Sequence, residues 1–166
     1  KRTTLENFVP PDLAVVVVDD SRVIRKSIVA KFNAVARRVD GTFHFTEYES
    51  VEAVLPELDN FARNPRLVVT VDENLNSPLT GSHLISALVD ANCQGLIASA
   101  SGDPDVAKQH LNLGANVVLG KPFPTTDYIV HTLANAFRDR QGRHDSPATT
   151  TTTTTKKKKK DDAGDE

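Results

Sequence analysis

Two apolar runs in this chain stop abruptly at acids: LAVVVV closes on Asp19 and Asp20, and LVVTV closes on Asp72. Short, β-branched and without polar alternation, each run has the pattern of a strand buried on both faces of a parallel sheet. If the two strands are neighbours, their carboxyl ends bring three carboxylates close together. Like charges at such separations are costly unless a cation offsets them. The pattern asks for a parallel sheet and, at its end, a divalent metal.

The rest of the chain supplies the other parts of such a sheet. Strand-like patterns at 13–18, 42–48, 67–71, 95–100 and 116–120 alternate with helical ones. The first helix, 22–37, carries a stripe of Ile24, Ile28, Phe32 and Val35. Ser50 caps a second, which Pro56 is expected to kink. A third spans about 82–92, a fourth opens at Asp103-Pro104 and ends at Gly114, and a fifth spans about 126–140. Five βα units predict a doubly wound α/β domain, a flavodoxin-like parallel sheet of order 2-1-3-4-5 with five helices. In that order the crevice lies between strands 1 and 3, where Asp19, Asp20 and Asp72 fall. Strand 4 delivers Ser99 to the same end, and Lys121-Pro122 follows strand 5.

Composition excludes several classes of function. The chain has 166 residues, 39% hydrophobic and 25% charged, with net charge −2 and a pI near 6.2. There is thus no global drive toward nucleic acid or anionic lipid. The single Cys93 has no partner for a disulfide or a zinc spacing. No apolar run approaches the ~20 residues of a membrane span, and direct membrane contact is not expected. Cytoplasmic placement is expected, alone or within a larger, even membrane-anchored, sensor. Residues 1–11 read as a linker, 12–140 as the domain, and 141–166 as a disordered tail rich in Thr, Lys and Asp. The missing methionine reads as a segment of a longer polypeptide. His44, His83, His110, His131 and His144 have no mutual metal spacing, and none is expected in the crevice.

With these pieces in place, the chain resembles the receiver domains of response regulators and hybrid histidine kinases. The resemblance is carried by VVVVDDSRVIRKS, TVDENL, ASAS and GANVVLGKPF, over about residues 12–140. It implies a two-component phosphorelay domain that is not itself an enzyme and that takes a phosphoryl group from a histidine kinase or a histidine phosphotransfer domain. Asp72 would be the acceptor. Asp19, Asp20 and Asp72, with the backbone carbonyl of Asn74, would hold Mg²⁺. Ser99 would move to hydrogen-bond the new group, and Lys121 would supply the conserved cation of that family, with its bond to Pro122 commonly cis. Two features differ from the usual pattern: Val118 stands where many receivers carry an aromatic switch, and Pro78 and Gly81 arrive late after Asp72.

The chemistry matches the residue types, because phosphoryl transfer is mostly positioning and charge neutralisation. Two alternatives remain at this stage. One is a receiver-like interaction module without phosphoryl turnover. The other is a haloacid-dehalogenase-type phosphatase, which would need an aspartate where Asn74 stands, since an amide cannot serve as general acid. Dinucleotide binding is excluded, because Asp-Asp-Ser-Arg follows the first strand in place of a glycine-rich turn.

Overall fold

The computed structural model describes residues 4–144. Five parallel strands form one sheet in the order β2-β1-β3-β4-β5. They are β1 (Ala14–Val18), β2 (His44–Tyr48), β3 (Leu67–Val71), β4 (Leu96–Ser99) and β5 (Val117–Val118). The expected order is therefore present, and the outer strands are shorter than their apolar patterns suggested. β5 keeps only two residues and stays half-exposed, as an edge strand with one neighbour.

Alternation along each strand divides the core in two. Val15, Val17, Val68, Leu96 and Ala98 face one side, against α1 (Arg22–Arg38) and the last helix. Val16, Val18, Val69, Val71 and Ile97 face the other, against the helices that follow β2 and β3. Both faces being covered explains why β1 and β3 read as unbroken apolar runs. All five residues of β3 are buried.

The unit after β2 is broken at Pro56, as its sequence requires. α2 (Val51–Val54) passes through a 3-10 turn at Leu55–Glu57 into α3 (Leu58–Ala62). Proline lacks the N–H that an uninterrupted helix would use at that point. α4 (Gly81–Asp90) follows β3, and α5 (Pro104–Leu113) follows β4. α5 starts behind the Asp103 cap and stops at Gly114, whose φ of 118° suits a residue without Cβ.

Both ends of the domain differ from the sequence-based boundaries. Residues 4–11, expected as linker, include a 3-10 turn at Glu6–Phe8 and place Val9 in the core shared by α1 and the last helix. Glu6 is buried there and pairs with Arg38. At the other end α6 spans Thr126–His144, so 141–144 continue the helix rather than begin the tail. Nothing apolar was needed for those four residues, because a helix already nucleated extends at little cost. The expected disordered tail from 145 onward lies outside the described residues.

Candidate functional site

Register builds the site. Val18 pairs with Val71, so Asp19 and Asp72 are the next residues on adjacent strands. The Asp72 N–H donates to the Val18 carbonyl at 3.1 Å, which holds the two ends level. Val71 also pairs with Ser99, and Ser99 with Val118. The turn after β5 bends through Gly120, at φ 67°, and brings Lys121 back over the strand ends. The Lys121-Pro122 bond is cis.

Three expected acids meet here. Carboxylate oxygens of Asp19, Asp20 and Asp72 all lie within 4.8 Å of one another. Asp19 and Asp72 are buried, and Asp20 is open to solvent. Lys121 Nζ bridges the two buried ones, 2.8 Å from Asp19 Oδ2 and 3.1 Å from Asp72 Oδ2. The Ser21 N–H donates to Asp19 Oδ1 at 2.8 Å, so both oxygens of that carboxylate are held. Arg25 reaches back from α1 to the carbonyls of Asp19 and Asp20, fixing the turn between strand and helix.

One ammonium facing three carboxylates leaves the cluster electronegative. Burial pushes the Asp72 carboxyl above the usual range, the Asp19 charge adds to that, and Lys121 opposes it. Lys121 is itself raised: burial disfavours its charge, but the two aspartates outweigh burial. The donor set is hard, anionic oxygen at close spacing, and it fits a small divalent cation such as Mg²⁺. Asn74 sits two residues beyond Asp72, exposed in the loop before α4.

Close packing holds Asp72 from the far side. A Cβ at Gly81 would lie 2.2 Å from the Asp72 carbonyl oxygen, and the Gly81 N–H donates to the Glu73 carbonyl at 3.1 Å. The late glycine noted in the sequence is thus the point where α4 touches the end of β3. Gly81→Ala is expected to lose roughly 1–3 kcal/mol, the usual cost of forced overpacking. The midpoint of chemical denaturation checks this, and an unchanged midpoint would mean that α4 can retreat freely.

Ser99 is where expectation and structure part. It stands at the right strand end, fully buried, but its hydroxyl is 2.8 Å from His110 Nδ1. The expectation that no histidine enters this region is corrected by His110, which has no exposed surface. Its Nε2 lies 2.7 Å from Glu73 Oε2. Burial alone would raise the Glu73 carboxyl, yet hydrogen bonds from His110 and Ser82 bring it below the usual range. A weak signal for His110 did exist. It lies three positions after Ala107, the other buried residue of α5, and so on the inward face of that helix. Nothing in sequence marked Glu73, which follows Asp72 beyond the end of the strand.

Neither protein-family models nor curated proteins match this chain. Solved structures do. A CheY-like response regulator receiver domain protein from Methanospirillum hungatei superposes with TM-score 0.59 at 13% identity, covering 79% of this chain and 98% of its own. Vibrio cholerae chemotaxis protein CheY4 gives 0.58 at 20% identity, over 75% and 98%. FixJ-N gives 0.59 at 23% identity, over 76% and 94%. The fold is that of a response-regulator receiver domain. At these identities the likeness speaks for architecture, and the receiver fold by itself does not assign the chemistry. The chemistry has to come from the acids and the lysine.

Proposed function

We propose that this receiver-fold chain is the acceptor module of a two-component phosphorelay, with Asp72 as the nucleophile. The observation that carries the reading is the packing of Asp19, Asp20 and Asp72 within 4.8 Å under the single ammonium of Lys121. A structural ion pair needs one acid for one base, and here an excess of negative charge is gathered at a strand end.

In the proposed step an Asp72 carboxylate oxygen forms a P–O bond as the donor's P–N bond breaks. The electron pair returns to the imidazole nitrogen of the donor histidine. Asp19 and Asp20, with Asp72 and the Asn74 carbonyl, would hold Mg²⁺, whose charge would offset the acids and the incoming phosphoryl oxygens. Lys121 sits beside Asp72 Oδ2 and so supplies a donor to phosphoryl oxygens on that side. Phosphorylation exchanges one carboxylate charge for a group with more charge and more acceptor oxygens. Ser99, at the adjoining strand end, is the donor best placed to respond.

A histidine kinase or a histidine phosphotransfer domain is the partner this chemistry requires. The module signals rather than turns over substrate, and it belongs in the cytoplasm, within a response regulator or the receiver segment of a hybrid kinase. No helix among the described residues is long and apolar enough to cross a membrane.

Incubation with acetyl phosphate and Mg²⁺ tests the reading directly. Mass spectrometry should show one added phosphoryl group, labile to hydroxylamine as an acyl phosphate is, and absent when EDTA replaces Mg²⁺. A chain that gains no label under these conditions, or gains one stable to hydroxylamine, would overturn the assignment.

A further inference from the structure

Ser99, His110, Glu73 and Ser82 form one continuous hydrogen-bonded chain. Ser99 Oγ meets His110 Nδ1 at 2.8 Å, and His110 Nε2 meets Glu73 Oε2 at 2.7 Å. That same carboxylate oxygen accepts from the Ser82 N–H at 2.7 Å and the Ser82 hydroxyl at 2.9 Å. The chain therefore starts at the end of β4 and crosses α5. It then reaches the residue next to Asp72 and enters the first turn of α4.

The direction of each bond follows from the groups. A carboxylate only accepts, so Nε2 carries the ring hydrogen. In the neutral ring Nδ1 is then an acceptor, and Ser99 donates its one hydroxyl hydrogen to it. A hydroxyl committed in this way has no hydrogen left for a second acceptor. Any group on Asp72 that needs Ser99 as donor must take it from His110. The ring nitrogen is then left unpaired in a site with no exposed surface, which is costly.

A serine, a histidine and a carboxylate in line also form the array of a hydrolytic nucleophile. Burial rules that out here, because neither Ser99 nor His110 has surface through which a substrate could arrive. The array faces inward, and Ser99 pairs in the sheet with Val71, the residue before Asp72.

We infer that His110 is a positioning residue for the acceptor site: it restrains the Ser99 hydroxyl in the unmodified domain and, on releasing it, relays the change at Asp72 through Glu73 to the N-terminus of α4. This rests on Asp72 being the phosphoryl acceptor. Modification shifts the donor from ring to phosphoryl, the ring readjusts its bond to Glu73, and the Ser82 turn follows. Val118 provides no aromatic ring at the edge strand, so a polar relay through α5 takes the place of an aromatic one.

Beryllofluoride, a phosphoryl mimic, tests this on the full chain with Mg²⁺ and ¹⁵N-labelled histidine. On binding, the His110 Nδ1 resonance should move as it loses its donor, and the Ser82 amide should move with it. His110→Leu should bind beryllofluoride about 5-fold more tightly, since one net hydrogen bond no longer has to be given up. It should also lose the Ser82 response, and in a Ser99→Ala background it should change affinity not at all. Should His110→Leu fail to fold, the wild-type resonances decide alone. Beryllofluoride binding with His110 and Ser82 unmoved overturns the relay and leaves the acceptor reading intact. No binding at all overturns both.

Discussion

Asp72→Asn is expected to remove all phosphoryl labelling and, in metal-free buffer, to raise the thermal midpoint by about 4 °C. The first effect follows from the loss of the proposed nucleophile, since an amide oxygen at this position cannot form a stable acyl phosphate. The second follows from the charge balance. Asp72 is held above the ordinary carboxylate range, chiefly by burial. A carboxyl raised on folding favours the native state while protonated, below its unfolded pKa. That contribution is lost as pH rises through the raised value. At neutral pH the ionised Asp72 is therefore a cost, and asparagine relieves it while leaving Lys121 paired to Asp19. Stabilising substitutions commonly gain about 0.5–2 kcal/mol, and about 1 kcal/mol corresponds to roughly that shift for a domain of this size.

Mg²⁺ should reverse the order. A ligand that binds only the folded chain stabilises by mass action, about 2.7 kcal/mol at a hundred times its dissociation constant. The wild type, with three acids, should gain more of this than the variant with two. Differential scanning calorimetry of both proteins, with and without Mg²⁺, makes the comparison. A variant less stable than wild type in EDTA would show that Asp72 is a structural ion-pair partner rather than a strained acceptor. The same residue would then stabilise the fold it was supposed to burden.

How far the sequence reached depends on the kind of interaction involved. β1 and β3 could be read because burial on both faces leaves an unbroken β-branched run, and because acids end each run where burial ends. Once their parallel register is granted, Asp19 and Asp72 must be neighbours, since Val18 and Val71 pair. Lys121 was legible for a similar reason, being placed by the turn that closes β5. Short-range rules also succeeded at Pro56 and at the Asp103 cap, where backbone chemistry is local.

What escaped was long-range and polar. His110 lies 37 residues from Glu73 along the chain, and only the packing of α5 over the strand ends brings them together. A lone histidine on a helix carries no sign of its partner until that packing is known. Glu6 and Val9 escaped because an irregular segment has no periodicity to betray burial, although Val9 has no exposed surface. The end of α6 was misplaced for a third reason. Helix propagation past the last apolar contact depends on backbone hydrogen bonds, and these leave no pattern in the side chains.

Lys121→Met should have the largest effect on stability, with a graded loss of reactivity beside it. Among the described residues Lys121 is the cation paired with both buried acids, and Asp19, 1% exposed, would keep its bond from Ser21. Breaking a buried pair on one side costs about 3–5 kcal/mol. Because the Lys121 side chain is 28% exposed, solvent screens part of that, and roughly 2–3 kcal/mol is the expected loss. Added Mg²⁺ should restore part of it by supplying positive charge to the same acids. Lys121 is raised above its ordinary value by the two aspartates despite its burial, so its contribution is complete below the unfolded lysine pKa. It fades only as pH rises through the higher folded value, far above neutrality. The lysine's own titration accordingly adds no slope to the stability difference near neutrality, and any slope found there reports the Asp72 carboxyl. Reactivity should behave otherwise. Removing one charged donor from a developing anion costs on the order of 10²-fold in rate. Beyond that, Lys121 opposes the upward push on Asp72, so without it the carboxyl rises further. Since only the ionised form attacks phosphorus, the pH profile of labelling by acetyl phosphate should move to higher pH in Lys121→Met. A uniform loss of rate with an unmoved profile would mean that Lys121 acts on the phosphoryl group alone and leaves the nucleophile untouched.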